Sequence, residues 1–191
     1  WDAEVFDNND KEHPGVANFL AAGNLVVCGD IQVLMYSDFA GDCPDTVRTA
    51  VSIRNEFVER GWSNVVAFQT RSPMHRAHEE LCRMAQEALN ADGILIHMLL
   101  GKLKAGDIPA EVRDASIRKM VEVYFPPNSV MITGYGLDML YAAPREAVLP
   151  AVFRQNFGWC HWILVRDPAG VAEDYVAFEA TTMSTDTLPT G

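Results

Sequence analysis

The rhythm of apolar and polar residues changes along this chain near Asp45. Before it, short apolar runs such as Asn24–Cys28 (NLVVC) and Ile31–Met35 (IQVLM) are broken by Gly and Asp, a pattern that predicts short β-strands joined by turns. After it, helical and strand-like spacing alternate. Val47, Val51, Ile53, Phe57 and Val58 recur at roughly helical intervals within Thr46–Gly61, and Gly61 suits a C-terminal cap. Asn64–Thr70 (NVVAFQT) is a β-branched, apolar run of the kind found in buried strands. Met74, Ala77, Leu81, Met84, Ala85 and Ala88 mark an amphipathic helix over 74–90. Gly93–Gly101 predicts a second strand. Ile117, Met120, Val121 and Tyr124 mark a helix stopped by Pro126-Pro127, and Ser129–Tyr135 a third strand. Arg145–Phe157 predicts a helix kinked or split at Pro150, and His161–Asp167 a fourth strand.

The order β-α-β-α-β-α-β, with strands apolar on both faces, predicts an α/β domain: a parallel sheet covered by helices on both sides. At 191 residues and 49% hydrophobic, the chain has enough apolar surface for one ordinary core. No run approaches the ~18 apolar residues of a membrane span. The acidic start WDAEVFDNNDKEH lacks the order of a signal peptide, and the first residue is not Met, so a fragment of a longer cytoplasmic protein is expected. The polar tail ATTMSTDTLPTG is expected to fray.

Charge sharpens the picture. A net charge of −11 argues against non-specific binding to nucleic acid or to an anionic membrane. Any cation placed at a strand end is therefore informative. Cys28, Cys43, Cys82 and Cys160 lie far apart with no CxxC pair, which predicts scattered reduced thiols rather than zinc or a disulfide framework.

In a parallel α/β sheet, ligands sit at the carboxyl ends of the strands. Gln69–Glu79 (QTRSPMHRAHE) falls there. Ser72 can cap the following helix with Pro73 at its first position, leaving free N–H groups toward an anion. Arg71 can pair bidentately with a sulfate or phosphate, and His75 and His78, three apart, can reach one phosphate chain. As alternatives, the two histidines are a metal pair without an obvious third ligand, or surface residues without a role. Lys102 and Lys104 in Gly101–Asp107 are equally phosphate contacts or solvated lysines. Ala142–Ala147 opens a helix that is either an anion contact or a plain Pro-initiated start. Arg166 and Asp167, after the last strand, can join the anion site or form an ordinary turn pair.

Gln69–Glu79 resembles the QTRNPxHRxHE signature of the ATP sulfurylase (sulfate adenylyltransferase) family. Lys102–Asp107 (KLKAGD), Tyr124–Asn128 (YFPPN), Tyr141–Ala147 (YAAPREA), Phe153–Gly158 (FRQNFG) and Arg166–Val171 (RDPAGV) match later blocks in the right order. The resemblance covers about Asp45 to Ala180. It implies a Rossmann-like nucleotidyltransferase catalytic domain over 44–191, truncated at its C-terminal side and preceded by the end of a β-rich, PUA-like domain over 1–43. It also implies the reaction of ATP and sulfate to adenosine 5′-phosphosulfate and pyrophosphate, or its reverse, with Mg²⁺ and no protein metal site. Gln69, Arg71 and the backbone of Ala169 would hold sulfate; His75, His78 and Arg71 would be catalytic. Thr70, Ser72, His75, His78, Arg166, Asp167 and Gly170 would line the nucleotide pocket, and a homo-oligomer would be expected.

This sequence departs from the family pattern at Ser72 (usually Asn), Ala143 (Gly), Pro150 (His), Val165 (Gly), Pro168 (His) and Ala172 (Gly). Pro168 removes a backbone donor from the Arg166–Gly170 loop. The competing reading is a relative that binds nucleotide or sulfate without turnover. A third is a nucleotidyltransferase with another acceptor.

Overall fold

The computed structural model describes residues 2–7, 9–34, 45–101, 107–138, 140–142, 145–158 and 160–163. Their elements run α1 (Asp2–Phe6), α2 (Pro14–Ala21), α3 (Ala50–Arg60), β1 (Val65–Thr70), α4 (Arg76–Leu89), β2 (Gly93–Leu99), α5 (Ala110–Tyr124), β3 (Val130–Tyr135), α6 (Arg145–Phe157) and β4 (His161–Ile163). The chain divides into two compact units. One holds 1–36, 139–152 and 164–191; the other holds 37–138 and 153–163.

The second unit is the predicted parallel sheet, with strand order β3-β2-β1-β4. Its strands read as apolar runs because both faces are covered. On one face Val66, Phe68, Ile94, Ile96 and Met98 pack with Cys82 of α4 and Ile117 of α5. On the other, Val65, Ala67, Leu95 and Met131 meet Ile53 and Phe57 of α3 and Phe157 of α6. A fully buried Ile or Phe of this kind contributes about 1.5–3 kcal/mol. Deep in the core, the Cys82 thiol is pushed up to about 12, by burial first and by nearby Glu79 second, and is therefore unreactive.

Local chemistry sets the helix ends. The Thr49 hydroxyl accepts the Ser52 N–H at 3.1 Å to open α3, which begins four residues later than the Thr46 expected from spacing. Gly61 closes it with φ 71°, a left-handed conformation that suits glycine. Thr46 and Val47 are drawn off the helix by the sheet: Val47 bridges Gly134 in parallel, and the Gly134 N–H donates to the Thr46 carbonyl at 2.7 Å. α6 runs across Pro150 without the expected split, because a single missing N–H···O bond is outweighed by burial of Ala151 and Phe157.

In the first unit, α1 and α2 enclose a small cluster of Phe6, Val16 and Ala142. His13 caps α2, its Nδ1 accepting the N–H groups of Gly15 and Val16 at 3.2 and 3.4 Å. The strands expected at Asn24–Cys28 and Ile31–Met35 do not form among the described residues. Leu25, Val26 and Val27 are 89%, 93% and 97% exposed, and a strand without a neighbour to bond is not stable. The apolar pattern was legible, but no strand pairs with it among the described residues.

Candidate active site

β2 and β3 lie on one side of β1 and β4 lies on the other, so the strand order reverses between β1 and β4. At such a switch point the loops after adjacent strands diverge and leave a crevice at their carboxyl ends. The turn that leaves β1 there is Gln69–His75.

Thr70, buried, shapes the turn. Its hydroxyl donates to the Ser72 carbonyl at 2.8 Å and accepts the Ser72 N–H at 3.0 Å. Ser72 is thereby spent on the turn and does not cap the helix. The chain continues through Pro73 and the buried Met74, and α4 begins only at Arg76 with His75 as its N-cap. The first bonds of α4 run from the His78 and Glu79 N–H groups to the His75 carbonyl at 2.9 and 3.2 Å. The Arg76 and Ala77 amides precede that first turn of bonds, as the leading N–H groups of any helix do.

The two histidines are brought together. Their rings stack with centroids 3.9 Å apart and planes at 29°, and Phe68 supports His78 at 5.4 Å. The His75 backbone N–H donates to His78 Nδ1 at 3.4 Å, which places the proton of a neutral His78 ring on Nε2. Burial, and secondly the neighbouring His75, hold the His78 pKa below the ordinary histidine range. His78 is therefore a neutral ring with an Nε2–H donor near pH 7. Earlier in the same turn, Arg71 Nη1 is buried and has no hydrogen-bond partner among the described residues. Gln69 Oε1 is likewise buried and unpartnered there.

Several supporting residues escaped the sequence reading. Glu79 is buried in the first turn of α4 and pairs with Arg76 at 2.8 Å, and the Arg76 guanidinium lies 4.0 Å from the centre of the Tyr124 ring. This fastens the first helical turn on which His78 sits. Arg113, 2% exposed, donates to the Leu99 carbonyl at 2.5 Å and the Ile108 carbonyl at 3.0 Å, tying the end of β2 to the start of α5. An acid at i+3 from an arginine is a signal for the first pair. A lone buried arginine leaves no periodic trace.

The N-terminus of α6 gives a different result. The Glu146 carboxylate accepts the Leu140 N–H at 2.7 Å and the Ala142 N–H at 3.0 Å. Its negative charge already occupies the positive end of the helix, so an incoming anion is disfavoured there. Of the remaining candidates, Lys102, Lys104, Arg166, Asp167, Ala169 and Gly170 lie outside the described residues. No group of three or more His, Cys, Asp or Glu among the described residues could hold a metal ion.

A family model for ATP-sulfurylase matches residues 44–189. The chain belongs to the ATP-sulfurylase family. It is 78% identical over 98% of its length to a sulfate adenylyltransferase of Alcanivorax borkumensis, covering 47% of that protein. It is 62% identical to one from Allochromatium vinosum, covering 98% of this chain and 47% of that one. The chain thus spans about half the length of these ATP-sulfurylase relatives. A solved structure described as a hexameric APS kinase from Thiobacillus denitrificans matches with TM-score 0.54 and 26% identity, covering 70% of this chain and 26% of that one. The β1–α4 turn lies inside the segment matched by the family.

Proposed function

We propose that this protein transfers the adenylyl group of ATP to sulfate, giving adenosine 5′-phosphosulfate and pyrophosphate, and that the β1–α4 turn is where the reacting groups meet. The observation that carries the reading is that Gln69, Arg71, His75 and His78 all fall on the β1–α4 connection at the switch point, with the two imidazoles stacked and Arg71 Nη1 and Gln69 Oε1 buried without hydrogen-bond partners among the described residues. A buried guanidinium N–H group left without an acceptor is costly unless a ligand supplies one. The sulfate adenylyltransferases of similar sequence support the choice of anion.

In the proposed step a sulfate oxygen attacks the α-phosphorus in line. A new P–O bond forms, the bond from the α-phosphorus to the bridging oxygen breaks, and pyrophosphate leaves with that electron pair. No proton needs to be abstracted from sulfate and no protein nucleophile is required, so catalysis reduces to positioning and charge stabilisation. Arg71 and the Gln69 amide hold sulfate; Ala169 would add its N–H. His75 and His78 donate to the phosphate oxygens as charge builds on the leaving group. Thr70 and Ser72 hold the turn's shape against the nucleotide, and Arg166, Asp167 and Gly170 would complete the pocket. The same contacts serve the reverse direction.

Gln69, Arg71, His75 and His78 are donors and cations, a set unsuited to holding Mg²⁺. The ion is assigned instead to the triphosphate, which brings it in and screens its charge, and no step above is routed through a protein metal site. A homo-oligomer and a cytoplasmic location belong to this reading. The hexameric state named for the matching solved structure supports the former.

The competing reading, binding without turnover, rests on Ser72, Val165 and Pro168. Identity of 78% to a sulfate adenylyltransferase weighs against it. Pyrophosphate release from Mg-ATP, with and without sulfate, separates the two. Release that requires sulfate supports transfer. ATP or phosphosulfate binding without release would support a silent relative.

A further inference from the structure

Near its start α4 carries two adjacent acids, and each is matched by an arginine of the same helix in different surroundings. Glu80 pairs with Arg83 at 2.5 Å, and both side chains are 47% exposed, so water screens the pair and little rests on it. Glu79 is 4% exposed and pairs at 2.8 Å with Arg76, whose own side chain is 62% exposed. Removing the cation from a buried carboxylate is a far larger electrostatic change than removing it from an exposed one. Glu79 also stands close to the chemistry. It follows His78 in the chain, and its N–H donates to the His75 carbonyl at 3.2 Å. An uncompensated negative charge there would cancel the positive end of α4 and oppose a triphosphate. Charge rather than a directed bond holds Arg76 to it, because Glu79 Oε2 has no hydrogen-bond partner among the described residues. An exposed arginine held only by charge swings readily into solvent. Tyr124, the last residue of α5, supplies a second grip: the Arg76 guanidinium lies over its ring, 4.0 Å from the centre.

We infer that Arg76 and Tyr124 are positioning residues: the ring clamps the guanidinium onto Glu79, neutralising the carboxylate so that the start of α4 accepts the triphosphate of ATP. Arg76 acts through Glu79 and does not itself bind the nucleotide. This rests on the assignment of His75 and His78 to the phosphates made above.

The test is a double-mutant cycle read by calorimetric binding of Mg-ATP without sulfate, with thermal midpoints and sulfate-dependent pyrophosphate release measured on the same preparations. Arg76→Met should weaken Mg-ATP binding about ten-fold, the scale of one nearby like charge left uncompensated. Adding Glu79→Gln should restore binding to within about three-fold, because the charge that needed neutralising is gone. A guanidinium that bound phosphate directly could not be replaced in this way. Arg83→Met, the same change at the exposed pair, should leave binding within about two-fold. Tyr124→Leu should weaken binding about three-fold, while Tyr124→Phe, which keeps the ring face, should retain it. Tyr124→Leu should add nothing to Arg76→Met, and the Tyr124 variants carry the test if Arg76→Met does not fold. No rescue by Glu79→Gln, an equal loss in Arg83→Met, or equal losses in Tyr124→Leu and Tyr124→Phe would overturn the inference. If His75→Ala lowers kcat while Arg76→Met binds Mg-ATP as the unaltered protein does, the clamp falls and the site assignment stands. If the unaltered protein does not bind Mg-ATP, both fall.

Discussion

Two helices of this protein begin with polar segments that look alike in sequence, and their first-turn carboxylates are used in opposite ways. α6 opens on PREA and α4 on MHRAHE, and either could offer free amides to a ligand. At α6 the positive end is met from within, by a Glu146 carboxylate bonded to two backbone N–H groups at 2.7 and 3.0 Å. At α4 the first-turn acid, Glu79, is directed to Arg76 instead, and stacked imidazoles flank the helix start. A helix dipole is thus a resource that the protein can use for itself or reserve for a ligand. Which occurs depends on whether a carboxylate reaches back to the loop.

That contrast can be broken at four points. The largest expected effect is from Arg71→Ala, which should lower sulfate-dependent pyrophosphate release by at least about 100-fold while shifting the thermal midpoint little. A loss of folding with no change in sulfate dependence would show that the Arg71 guanidinium is structural. His75→Ala should reduce kcat by about ten- to 100-fold, and a change confined to the sulfate KM would contradict a role at the phosphates. Glu146→Ala should act oppositely, destabilising the fold by about 1–3 kcal/mol as two N–H groups lose their acceptor, with substrate KM values unmoved in the protein that remains folded. Chemical denaturation and steady-state kinetics on the same preparation would decide it.

The smallest effect concerns pH. His78 has its folded pKa lowered, by burial and then by His75, so the unfolded chain binds the extra proton first. Stability should therefore be level above the ordinary histidine pKa of about 6.5 and fall as pH drops through the window below it. His78→Asn should flatten that part of the profile, and an unchanged slope would show that His78 titrates normally. The ring is partly exposed, so the effect is small.

Much of the architecture is legible before any coordinates. The four strands and the helices between them follow from apolar runs and helical spacing, because in a covered parallel sheet burial and pattern coincide. The same logic fails at Leu25–Val27, as apolar as Val65–Ala67, where no strand pairs with the run among the described residues. Pattern reports what a segment can bury; a partner decides whether it does. At the site, Gln69 and Arg71 are readable as polar residues ending an apolar strand. The Ser72 cap is misread because the Thr70 hydroxyl holds the Ser72 N–H and carbonyl in a turn, and α4 begins only at Arg76 with His75 as its N-cap, a local side-chain contest that spacing does not resolve.

The most direct test of the central claim is pyrophosphate release from Mg-ATP at varied sulfate, drawn forward by pyrophosphatase, for this protein and its Arg71→Ala variant. The account predicts release that saturates with sulfate and is lost in the variant, with both proteins folded. Release independent of sulfate, or equal in the two proteins, would contradict it.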